Sequence, residues 1–67
     1  MELLIIKTRG GYIRVKPDEF LAVNLEKASV FPMAEPAHVR DLAARARDRG
    51  FEDVVVKKLV LTEEDLP

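Results

Sequence analysis

The stretch KTRGGYIRVK, residues 7 to 16, gathers Lys7, Arg9, Arg14 and Lys16 around Tyr12. Cations hold phosphates by charge, and an aromatic ring stacks on a base. A sheet face that carries both can therefore bind single-stranded nucleic acid. The aromatic count argues against this use: sheet-type RNA binders stack on about two or three rings, and only Tyr12 lies here. Gly10-Gly11 is not a phosphate loop, because it leads into a strand and not into a helix with a Lys-Ser or Lys-Thr start.

Catalytic groupings are sparse. A nucleophile needs Ser, Thr or Cys beside a His or Lys base. Ser29, Thr8, Thr62 and His38 are the candidates, and no local motif links any two of them. Asp18, Glu19, Glu52, Asp53, Glu63, Glu64 and Asp65 show neither calcium-loop spacing nor a His-carboxylate metal pattern. The chain has no cysteine and a single histidine, which excludes a thiolate site and argues against a histidine-based zinc site. The expectation is a non-enzymatic protein with no catalytic residue, no metal and no cofactor.

The 67 residues are enough for one small domain, residues 1 to 67. A chain of this size buries only about 60% of its unfolded surface, so small domains often lean on disulfides, metals or a second subunit. Here association is the support left open. The net charge of −1 provides no global basic field for a polyanion. Charge is uneven, with cations in residues 1 to 16 and Glu63, Glu64 and Asp65 in the final TEEDLP. No apolar run approaches the roughly 18 to 20 residues of a membrane span, and MELLIIK is too short for a signal-peptide core. A cytoplasmic protein without membrane contact is expected.

The elements that must position these residues follow from patterning. ELLIIKT (2–8) reads as a central strand, apolar on both faces. Gly10-Gly11 suits a two-residue hairpin turn, and YIRVK (12–16) returns as a second strand. That register sets Arg9 opposite Tyr12 and Lys7 opposite Arg14. It puts Leu4, Ile6, Thr8, Ile13 and Val15 on one face, and Leu3, Ile5, Lys7, Arg9, Tyr12, Arg14 and Lys16 on the other. A proline turn at 16–19 leads to a third strand, FLAVN (20–24), with Leu21 and Val23 inward. Asn24 is placed to cap a helical turn, LEKA, and Ser29 to Phe31 to form a short extended piece.

PAHVRDLAARARDR (36–49) is the one clear helix. Pro36 suits its first position, Gly50 its end, and Val39, Leu42, Ala43 and Ala46 form a narrow apolar stripe. DVVVKKLVL (53–61) is the last strand, with a bulge at Lys57-Lys58, or a strand that twists off the sheet there, expected from the two adjacent lysines. Thr62 to Asp65 begin like a capped turn. The fold class is α+β: β-β-β-α-β, a mixed four-stranded sheet of order 3-2-1-4, the last strand parallel to the first and one helix on one face.

One helix covers one face of such a sheet, so an apolar face stays open, and open apolar faces mark interaction surfaces. Leu3, Ile5, Val55 and Val60 are its candidate contacts. The leading expectation is a protein-protein interaction domain that self-associates as a homodimer through this face. The alternative is a small nucleic-acid-binding accessory protein using Lys7, Arg9, Tyr12, Arg14 and Lys16. The run from Gly11-Tyr12 through Leu25–Phe31 to the alanine-rich helix ending at Gly50 resembles small uncharacterised proteins encoded in bacteriophages and prophages. That resemblance implies a compact α+β fold and transfers no catalytic residue.

Overall fold

The computed structural model describes residues 2–60. Along the chain run β1 (Glu2–Thr8), β2 (Gly11–Val15), β3 (Phe20–Val23), a 3-10 turn (Leu25–Lys27), β4 (Val30–Pro32), α1 (Pro36–Asp48) and β5 (Val55–Val60). The class is α+β, with the strand order 3-2-1 and the last strand beside the first, as patterning predicts.

Among the described residues the sheet has five strands rather than four, and all their pairings are antiparallel. The extra strand is β4, formed by the short segment expected to be extended before Pro36. It adds one reversal of direction, so α1 returns the chain to lay β5 antiparallel to β1, and the parallel pairing expected there does not occur. β5 covers one edge of β1 from Glu2 to Lys7. β2 and β4 must therefore share the other edge: β2 takes Lys7 and Thr8, and β4 takes Leu3 to Ile5. Ser29 closes the gap where β2 leaves β1. Its amide donates to the Ile13 carbonyl at 3.2 Å, and its Oγ accepts from the Val15 amide at 2.9 Å.

The hairpin register differs from the expected one by two residues. Thr8 faces Gly11 and Lys7 faces Tyr12, so Arg9-Gly10 is the loop. A slip of two preserves side-chain parity, and the predicted faces survive it. Gly10 holds φ +79 in the turn. Gly11 serves a different need, because a Cβ there would sit 2.8 Å from the Val23 carbonyl oxygen.

The core lies between α1 and one face of the sheet. Leu4, Ile6 and Ile13 meet Val39, Leu42, Ala43 and Ala46, with Val54 at the end and Phe20, Phe31, Phe51 and Val56 packed around them. The buried residues of α1 are the predicted stripe. Two alanines on that stripe let the helix sit close to the sheet. Pro36 starts the helix and Gly50, at φ +97, ends it. Phe51 N–H then returns to the Ala46 carbonyl at 3.2 Å.

Some local expectations change. Leu21 and Val23 do not point inward, because Val15 pairs with Phe20 and Phe20 takes the core side of β3. Asn24 makes no side-chain cap bond; its backbone carbonyl accepts from Lys27 N–H at 3.0 Å. β5 carries no bulge, since its register with β1 is continuous from Val55 to Val60. Leu61 and the expected turn from Thr62 to Asp65 lie outside the described residues.

Candidate functional site: the open face of the sheet

The registers decide which side chains share the face opposite α1. From β1 and β5 come Leu3, Ile5, Lys7, Val55, Lys57 and Leu59. From β2 and β3 come Tyr12, Arg14, Leu21 and Val23, and β4 adds Val30. Directly paired residues of an antiparallel ladder project to the same side, which fixes these assignments. Of the expected contacts, Leu3, Ile5 and Val55 are on this face. Val60 is not: it pairs with Glu2, which shares the parity of Leu4 and Ile6, so it belongs to the helix side. Leu59 is the residue of β5 that takes its place.

Burial on this face is uneven. Ile5 is only 2% exposed, while Val30 and Val55 are 47% and 40% exposed. Ile5 lies at the base of a hollow of about 190 Å³ bordered by Lys7, Tyr12, Leu25, Lys57 and Leu59. Lysine stems cover apolar surface while their ammonium groups stay in water, which explains how Ile5 is buried without a second helix. Lys58 also borders the hollow, but its Nζ is 3.9 Å from Glu2 Oε1.

The basic set breaks apart. Lys7, Tyr12 and Arg14 stay together and gain Lys57. Arg9 is drawn to the loop before β5, where it pairs with Glu52 and its Nε donates to Asp53 Oδ2 at 2.8 Å. Its amide also donates to the Glu52 carbonyl at 2.9 Å, and Thr8 Oγ1 donates to the same oxygen at 2.7 Å. Lys16 borders a groove beside α1 with Phe20 and Arg49. Lys7 faces Tyr12 and not Arg14, so the expected like-charge cross-strand pair does not form.

Among the described residues the strands place no carboxylate on the open face: its charged side chains are Lys7, Arg14 and Lys57. Sequence reasoning missed Lys57 because two adjacent lysines suggested a bulge, whereas simple alternation from Val55 finds it. Val30 was out of reach, since nothing local announces that β4 will pair with β1.

His38 meets the Phe31 ring edge-on, with centroids 6.3 Å apart, and Thr8 and Ser29 are engaged with backbone groups. Among the described residues no group of three or more His, Asp or Glu side chains is placed to hold a metal. No helix among them is long and apolar enough to cross a membrane. No protein-family model matches the chain, and no curated protein or solved structure is significantly similar to it.

Proposed function

We propose that this chain is a non-enzymatic protein-binding domain that offers the open face of its sheet to an acidic partner protein. The observation that carries the reading is the make-up of that face: an apolar field with Lys7, Arg14 and Lys57 and no carboxylate from the strands. Apolar area supplies the drive for association, and cations of one sign select a partner of the opposite sign. The hollow over Ile5 suits an apolar side chain flanked by carboxylates that reach Lys7 and Lys57.

A second copy of the chain complements this face less well. A two-fold contact sets the same patch against itself, so these cations meet their own copies. Nucleic acid would also meet the charge, but Tyr12 is the sole ring to stack on and aliphatic side chains fill most of the remaining area.

Selection from a random peptide-display library, followed by binding of the enriched peptides to a Lys7→Glu, Lys57→Glu variant, tests the proposal. Enriched peptides should combine carboxylates with spaced apolar residues. Enrichment without carboxylates, or equal binding to the variant, would sink the idea. So would sedimentation of the free protein as a micromolar dimer that hides the face. Tight salt-sensitive binding of a single-stranded oligonucleotide there would hand the face to the nucleic-acid reading.

A further inference from the structure

On the helix side, a groove of about 490 Å³ runs between α1, the β2–β3 turn and β4. Phe20 and Phe31 form its apolar walls, and Lys16, Arg45, Arg49 and His38 border it. Among the described residues no carboxylate lines it, although the whole chain carries a net charge of −1. Lys16, Arg45 and Arg49, so collected, repel one another, and an anion among them relieves that repulsion.

Two of the cations, Arg49 and Arg45, are held and not merely near. The Arg49 guanidinium carbon sits 4.7 Å from the Phe20 ring centroid, a cation–π contact that restricts its motion. Arg45 Nε lies 3.2 Å from Asp41 Oδ2, one helical turn away, in an exposed pair of small worth. Ser29, also on the groove, accepts from Val15 N–H and keeps its own hydroxyl proton to donate. A groove of this size, with aromatic walls and a few convergent polar groups, has the form of a small-molecule site.

We propose that this groove binds a small organic anion with a flat apolar body, an aryl phosphate or aryl carboxylate. The body lies against Phe20 and Phe31, and the anion meets Arg49 and Lys16. The proposal does not depend on the reading of the open face, which is on the other side of the sheet.

The test is a titration of the ¹⁵N-labelled chain at low salt, followed by amide shifts. Four probes are compared: phenyl phosphate, benzoate, inorganic phosphate and benzyl alcohol. Phenyl phosphate or benzoate should shift amides of Val15–Phe20, Ser29–Phe31 and His38–Arg49, and bind at least about tenfold tighter than the two partial probes. The tighter of the two aryl anions identifies the acid group preferred, and equal binding assigns the site to the class as a whole. Arg49→Gln should weaken binding roughly tenfold, the worth of one charge-assisted hydrogen bond. Lys16→Gln, at an exposed position, should weaken it as well, while Arg40→Gln, exposed and outside the groove, should leave it unchanged. The proposal is overturned if inorganic phosphate or benzyl alcohol binds as well as the aryl anions. It is equally overturned if no probe gives a saturable shift up to roughly 10 mM, or if neither groove variant changes affinity.

Discussion

Arg9 reaches across from the β1–β2 turn so that its Nε donates to Asp53 Oδ2 at 2.8 Å, and Asp53 holds the left-handed backbone angle φ +56. Two loops are thereby tied at one end of the sheet. The ion pair is solvent-exposed, so its share is small, and the demand of the backbone outweighs it. Asp53→Asn keeps a residue that tolerates positive φ and should cost less than about 1 kcal/mol. Asp53→Val adds strain of about 1–2 kcal/mol. Urea denaturation measures both, and equal stability of the two variants would remove the backbone argument.

Gly10 and Gly11 should respond differently to the same substitution. Gly10 needs positive φ but has open space around it, so Gly10→Asn should cost less than about 1 kcal/mol. Gly11 lies against the Val23 carbonyl, and any Cβ there must push the β2–β3 ladder apart. Gly11→Asn should cost roughly 1–3 kcal/mol, the scale of overpacking. Thermal melts decide it; a Gly11 variant that melts like wild type contradicts the close approach.

Ser29→Ala removes the acceptor for the Val15 amide at the place where β2 parts from β1. Val15 is only half-buried, so water partly replaces the lost bond and the cost should be about 1 kcal/mol. The sharper readout is local. Hydrogen exchange at Val15 N–H should accelerate more than at Ile6 N–H, and unchanged protection at Val15 would refute the clamp.

Ala46 is fully buried where α1 meets the sheet. Ala46→Leu should force the helix outward and cost roughly 1–3 kcal/mol, whereas Arg40→Leu on the exposed side should change little. Leu42→Ala should cost about 2–5 kcal/mol through the cavity it leaves. An Ala46→Leu variant as stable as wild type would mean that the helix does not approach the sheet this closely.

Replacing both Lys7 and Arg14 with threonine should leave stability within about 0.5 kcal/mol of wild type. Had the two residues faced each other, their removal would have raised stability; with Lys7 opposite Tyr12 there is no such pair to relieve. A clear rise in melting temperature would bring the two-residue-shifted register back into contention.

The elements with the strongest short periods, α1 and the β1–β2 hairpin, were legible in the chain itself. The helix, its proline start and glycine end, and its stripe of Val39, Leu42, Ala43 and Ala46 follow from a 3.6-residue repeat. The faces of β1 and β2 follow from a two-residue repeat, and they held even though the hairpin slipped, because a slip of two returns each side chain to its own side. What connects distant segments was decided only by tertiary packing. β1 has two edges and three partners, so β4 had to pair with β1 where β2 leaves it, and Ser29 had to seal the junction. That pairing reversed β5, whose register on β1 brought Lys57 beside Ile5, while unbroken alternation along β5 turned Val60 to the helix side. It also let Glu52 and Asp53 draw Arg9 out of the basic set. The pairing of β4, the reversal of β5 and the capture of Arg9 have no local signal, since the competition for an edge of β1 exists only once the strands have met.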